Sequence, residues 1–169
     1  VEALHAEWPA LTFDATIKVE HLARHRDLLP VLARSGCLFV TSAVESVDDE
    51  VLRQLQKGHT RADFVEAVRL CRAADLTLAP TFVAFTPWTT LEDYRAMLEF
   101  VDAEGLVDSV DPIQYSLRLL VPPGSLLVDH PAMRPHLGPL VERAFSYAWT
   151  HPDPRMDALQ AEVARIVEA

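Results

Sequence analysis

The chain has 169 residues, 50% of them hydrophobic and 24% charged, with a formal net charge of -10; this is the make-up of one globular domain that can bury its own core. The acidic balance argues against a nucleic-acid footprint, which needs a basic face. No apolar run reaches the roughly 18 residues of a membrane span, and residues 1–9 lack the basic start and apolar middle of a signal peptide, so a cytoplasmic location without membrane attachment is expected.

Apolar β-branched runs alternate with helical periodicity along most of the chain. Residues 11–19 read as a strand, and 20–34 as a helix broken near Asp27, with Pro30 tolerable in a first turn. Ser35-Gly36 stops that helix, and 37–44 form the next strand. Asp48 or Asp49 caps a short helix closed by Lys57-Gly58, and Thr60 with Asp63 marks the start of another. Residues 76–85 give a third strand, in which Pro80 predicts a bulge or an edge. Thr90 caps a helix that Gly105 ends, and 110–121 contain a fourth strand. Beyond the proline-punctuated loop at 128–135, Leu137, Leu140, Val141, Ala144, Phe145 and Ala148 predict one amphipathic helix, and Met156, Leu159, Val163 and Ile166 another.

Strands separated by helices of this length imply βαβ units and a parallel sheet with right-handed crossovers. The expected architecture is α/β: four parallel βα units over residues 1–127, followed by C-terminal helices over 128–169 packed on them. Four strands do not close an eight-stranded barrel. They form either a small open sheet or part of a barrel, and part of a barrel leaves a strand edge through which two copies could pair as a homodimer.

The chemistry concentrates where the second strand ends. An apolar run stops abruptly at Glu45, and in α/β sheets the carboxyl ends of parallel strands are where ligands bind. Glu45 is also a plain acidic helix start, and Lys57 equally suits the negative end of its helix dipole. Thr41 and Ser42 supply hydroxyls near the same strand end, and Arg118 inside an apolar run needs a partner if buried. Cys37 and Cys71 are far apart and read as buried, reduced thiols. The histidines form no metal set: His21 and His25 have i, i+4 spacing without an acid between them, and no metal ligation by this chain is expected.

Three groups of residues carry a resemblance to a known family. The first comprises Ala43-Val44-Glu45-Ser46, Asp49-Glu50-Val51-Leu52 and Lys57-Gly58-His59-Thr60; the second is Thr86-Pro87-Trp88-Thr89-Thr90; the third is Pro112, Gln114 and Pro123-Gly124-Ser125. Together they resemble the later two-thirds of a radical S-adenosylmethionine (radical SAM) domain, a partial (β/α)6 TIM-like barrel. The second group looks most like a bacterial subgroup with a Cys-rich tail. The resemblance implies an iron-sulfur enzyme that reductively cleaves S-adenosylmethionine to start radical chemistry on an unknown substrate. By family position Glu45 would face the ribose or ammonium of S-adenosylmethionine, and Lys57 its carboxylate. Ser42 and Thr41 would lie nearby, Val83 would be a cofactor contact from the inward-facing set of its strand, Leu119 and Val121 would flank the adenine, and Gln114 and Arg118 would face substrate.

The departure is at the start. Such enzymes hold a [4Fe–4S] cluster with a CxxxCxxC loop, and two distant cysteines cannot supply three thiolates. A chain that begins with Val is read as a piece of a longer protein, cut inside the second βα unit, with its first six residues the end of a helix. S-adenosylmethionine and the cluster would belong to the parent; no cofactor is expected on this chain alone, which would be inactive. Two other readings stand beside this one: a different TIM-like enzyme using Glu45 and Asp14 as acid and base, and a non-catalytic interaction module.

Overall fold

The nine-residue strand β2 (Cys37–Glu45) is the middle of a parallel sheet in the order β1-β2-β3, with β1 at Phe13–Thr16 and β3 at Thr77–Phe82. The computed structural model describes residues 1–168. They divide into two compact units, residues 1–82 with 100–111, and residues 83–99 with 112 onward.

In the first unit, α1 (Glu2–Glu7) precedes β1, and α2 (Val19–Arg24) and α3 (Leu29–Arg34) lie between β1 and β2. A 3-10 turn at Arg26–Leu28 makes the expected break near Asp27, and Pro30 sits in the first turn of α3. The first strand is shorter than the apolar pattern suggested, because Val19 already begins a helix and is buried by it. Next comes α4 (Asp49–Gln54), whose cap Asp48 accepts a 2.8 Å bond from the Val51 amide. Helix α5 (Arg61–Ala73) opens on a full capping box between Thr60 and Asp63, which satisfies two amide donors that no helical carbonyl reaches.

Strand alternation sorts the sheet into two faces. Val40, Ser42 and Val44 are buried, as are Leu78, Pro80 and Phe82. The partnered residues Thr41 and Ala79, and Ala43 and Thr81, point to the other, half-open face. Phe64 of α5 meets Phe82 edge-on at 6.2 Å and tilts onto Phe100 at 5.2 Å, forming the aromatic centre of the unit. Pro80 occupies the outer strand β3, where its missing donor is tolerated.

The second unit departs from the sequence expectation twice. Residues 110–121 do not form a fourth strand. They carry a 3-10 turn, Pro112–Tyr115, and reach Phe85 by a single parallel bridge at Arg118. Pro112, Pro122 and Pro123 remove donors a ladder would use. The fourth βα unit is thus reduced to one rung, and among the described residues the parallel sheet has three strands.

The predicted amphipathic helix over 137–148 is instead an antiparallel hairpin, β4 (Leu137–Val141) and β5 (Ser146–Trp149). Gly138 and Pro139 interrupt any helix there, and Phe145 turns the chain with a left-handed φ of 49°. The last helix is present as expected, α7 at Pro154–Val167, with Asp153 capping it. Helix α6 (Leu91–Ala103) opens on a second reciprocal pair, Thr90 with Asp93. Phe85, Met133 and Met156 are the largest fully buried side chains of this unit, and Phe85 packs on Tyr94 at 5.0 Å.

Candidate functional site

At its carboxyl end β2 leaves regular geometry. The register to β3 slips between Ala43 and Glu45, and Glu45 takes a left-handed φ of 69°. A side chain larger than glycine pays about 1–2 kcal/mol for that conformation, and such residues concentrate where binding requires them. The Glu45 carboxylate accepts a 3.2 Å bond from the Lys57 ammonium, and both side chains are about one-quarter exposed.

His59, two residues on, is buried and donates from Nε2 to the Val44 carbonyl at 3.1 Å. Burial pushes its pKa below the usual imidazole value, against the pull of that carbonyl, so the ring is neutral near pH 7. The Lys57-Gly58-His59 turn is therefore tied to the end of β2 on both flanks. Beside it lies a cavity of about 280 Å³, bordered by Lys18, Glu20, Ala43, Lys57, Gly58 and His59 among others.

The remaining expected residues are spread out. Thr41 lies on the half-open face of β2, whereas Ser42 is on the covered face, fully buried, with its hydroxyl unpartnered. Val83, half-buried, lies in the second unit, as do Leu119, Val121, Gln114 and Arg118.

Leu119 is 8% exposed and Val121 fully buried. The Leu119 carbonyl accepts from the Trp149 indole at 2.7 Å, and Ser146 Oγ accepts from the Val121 amide at 3.0 Å. Val121 thus presents no surface to an adenine ring. Arg118 is engaged: it donates to Asp157 at 2.6 Å and to the Trp149 carbonyl at 3.1 Å, and stacks on that indole at 3.8 Å. Gln114 sits in the 3-10 turn before the bridge, half-buried. Asp14 pairs in register with Phe39, six residues before Glu45 on β2; at roughly 3.3 Å per residue the two carboxylates lie about 20 Å apart along the strand. They cannot act as an acid–base pair on one bond.

Glu20 and Lys18 are site residues that sequence reasoning missed. They stand far from Lys57 in the chain, and only the packing of α2 brings them to the cavity.

A [4Fe–4S] cluster does not fit this chain's residues. Cluster ligands are thiolates, and burial pushes the Cys71 thiol up to about 11 and raises that of Cys37. Among the described residues no three His, Cys, Asp or Glu side chains are placed to hold a metal ion. The polar end of S-adenosylmethionine is a different matter: it is an amino acid with one ammonium and one carboxylate, and the Glu45–Lys57 set offers one charge for each. Among the described residues no helix is long and apolar enough to cross a membrane.

No family model matches the chain. It is 32% identical over 95 residues to the tRNA-2-methylthio-N(6)-dimethylallyladenosine synthase of Bordetella pertussis (strain Tohama I), a match covering 55% of this chain and 21% of that protein. The chain thus spans about a fifth of the length of the curated relatives it matches. Among solved structures, the cobalamin-dependent S-adenosylmethionine radical enzyme OxsB with aqua-cobalamin superposes with a TM-score of 0.76 at 13% identity, over 94% of this chain and 29% of that one. The radical S-adenosylmethionine methyltransferase TsrM from Kitasatospora setae follows with a TM-score of 0.51 at 20% identity, over 61% of this chain and 21% of that one. The expectation that nucleic acid plays no part finds no support in a relative named for tRNA, because the net charge of a stretch says little about the whole protein it matches. Nor does any comparison support a homodimer. In sequence the chain is thus similar to part of a tRNA-2-methylthio-N(6)-dimethylallyladenosine synthase, and in fold to part of the radical SAM enzymes OxsB and TsrM.

Proposed function

We propose that residues 1–127 belong to the partial barrel of a longer radical SAM enzyme, and that the Glu45–Lys57 pair takes the polar end of S-adenosylmethionine in that parent. The observation that carries this reading is Glu45 itself: left-handed, at the end of the central strand, with its carboxylate on Lys57. In the free protein the two charges satisfy each other. Ligand entry opens the pair, giving the carboxylate to a ligand ammonium or ribose hydroxyls, and Lys57 to a ligand carboxylate as a compact point charge. Thr41, on the same half-open face as Ala43, adds a hydroxyl, while Ser42 supports the strand from behind.

Within the second unit Val83 retains accessible surface as a cofactor contact, and Leu119 and Val121, expected at the adenine, act by supporting the segment after the Phe85 bridge. Gln114 is the substrate-facing candidate on that segment. Arg118 is a strut to Asp157 and Trp149 rather than a free cation. When bound in the parent, S-adenosylmethionine supplies the radical precursor; the residues here bind and orient it. The substrate is a small molecule or, as the name of the tRNA-modifying relative suggests, a nucleic acid.

The test is calorimetric titration of S-adenosylmethionine into the complete protein and its Glu45→Ala variant. Affinity is expected to fall at least about tenfold, the loss of one charge-assisted contact. Equal affinity in the two proteins would remove Glu45 from the site.

A further inference from the structure

Gly58 separates Lys57 from His59, and its backbone gives no reason for a glycine, since it is not among the left-handed residues. The reason lies across the turn. A Cβ at this position would stand 2.9 Å from Oε2 of Glu20 and 3.5 Å from its Cδ, and the three nearest atoms all belong to that one carboxylate. Glu20 occupies the place a side chain would take.

The flanks of the turn are fixed elsewhere. Lys57 is held by Glu45 through its ammonium and by the Leu52 carbonyl through its amide, and His59 is held by the Val44 carbonyl. Glu20 borders the turn from α2 on the cavity side, its carboxylate against Gly58. Its polar side-chain neighbours, Lys18 at 3.9 Å and His21 at 3.6 Å, lie on or beside its own helix, and its side chain is 34% exposed. Glu20 and Lys57 thus border one cavity from opposite elements.

The geometry points to Glu20 as a positioning residue: its carboxylate, seated in the side-chain vacancy of Gly58, sets where the Lys57 ammonium stands over the cavity. The inference rests on the reading of Glu45 and Lys57 as ligand contacts. It explains why the motif Lys57-Gly58-His59 carries a glycine that backbone conformation does not demand. It also makes the acid on α2 part of the same device as the acid on β2.

Two readouts on the complete protein test it. The first needs no ligand: the rate at which an amine-reactive acylating reagent modifies Lys57, read by peptide mass spectrometry. Glu20→Ala is expected to raise that rate about threefold or more, because the turn loses the carboxylate against Gly58. Gly58→Ala, whose methyl group displaces the carboxylate, should do the same, and the double variant should match either single one. Glu20→Gln, with the same shape, should restore the wild-type rate. The second readout is S-adenosylmethionine affinity by calorimetry, expected to weaken about fivefold in each single variant and no further in the double, as befits two changes that break one contact. Unchanged Lys57 reactivity in Glu20→Ala, or penalties that multiply in the double variant, would overturn the positioning role. If Lys57 reactivity responds as expected while Glu45→Ala leaves affinity unchanged, the ligand assignment fails and the positioning of Lys57 stands.

Discussion

At the scale of single residues, two side chains carry measurable consequences. Glu45 holds a left-handed conformation that glycine adopts freely. Glu45→Gly should therefore leave the protein as stable as before, or more stable by up to about 1 kcal/mol, while S-adenosylmethionine binding by the complete protein falls. Denaturant midpoints and calorimetry measured on the same variant separate the two effects; a clear loss of stability would show that the Lys57 ion pair outweighs the backbone strain.

The second is Cys71. Burial, and secondarily the Cys37 thiol, raises its pKa from 9.0 to about 11. The folded value lies above the unfolded one, so the stabilising contribution is complete below pH 9 and is lost as pH rises through about 11. Alkylation of Cys71 in the native protein should accelerate with pH up to about 11; a plateau near pH 9 would mean the thiol is solvated.

At the scale of elements, local chemistry accounts for what the chain spells out and for what it hides. Caps were legible because a helix terminus satisfies its amides with neighbours three residues away: Thr60 with Asp63, and Thr90 with Asp93, need no tertiary information. Thr60→Ala should cost about 1 kcal/mol of unfolding free energy, read from chemical denaturation; no change would mean the Asp63 amide that donates to the Thr60 hydroxyl is as well satisfied by water. The central strand was legible too, as an apolar run between Gly36 and an acid-rich helix start.

The hairpin was not legible. Leu137, Leu140, Val141, Ala144 and Phe145 fall on helical spacing, yet Gly138-Pro139 and the β-branched and aromatic content of 141–149 favour extended chain. Apolar spacing alone does not separate the two. Phe145, at a φ of 49° and 71% exposed, closes the turn. Phe145→Gly should stabilise the protein by about 1 kcal/mol, and a melting temperature below wild type would instead assign that ring a packing role.

At the scale of the whole molecule, the sheet carries a closed face and a half-open one. The closed face centres on Phe64 against Phe82 and Phe100, and Phe64→Ala should destabilise by about 3–5 kcal/mol. The half-open face carries Thr41 and Ala43 toward the strand end where Glu45 and Lys57 meet. The site was only half legible for a physical reason: Glu45 and Lys57 lie 12 residues apart, on one strand–helix unit, so local pattern joins them. Glu20 comes to border the same cavity as Lys57 only through packing of α2, and Arg118 finds Asp157 39 residues on. Sequence motifs named the residue types; only the fold told which charges were already satisfied.

The central claim is that the end of β2 is where S-adenosylmethionine binds in the parent enzyme. The most direct measurement is a crystal structure of the complete protein with S-adenosylmethionine. The expected result is a ligand oxygen or nitrogen within about 3.5 Å of the Glu45 carboxylate or the Lys57 ammonium, with the ion pair between them opened. Ligand density elsewhere, with Glu45 and Lys57 still bonded to each other, would contradict the claim.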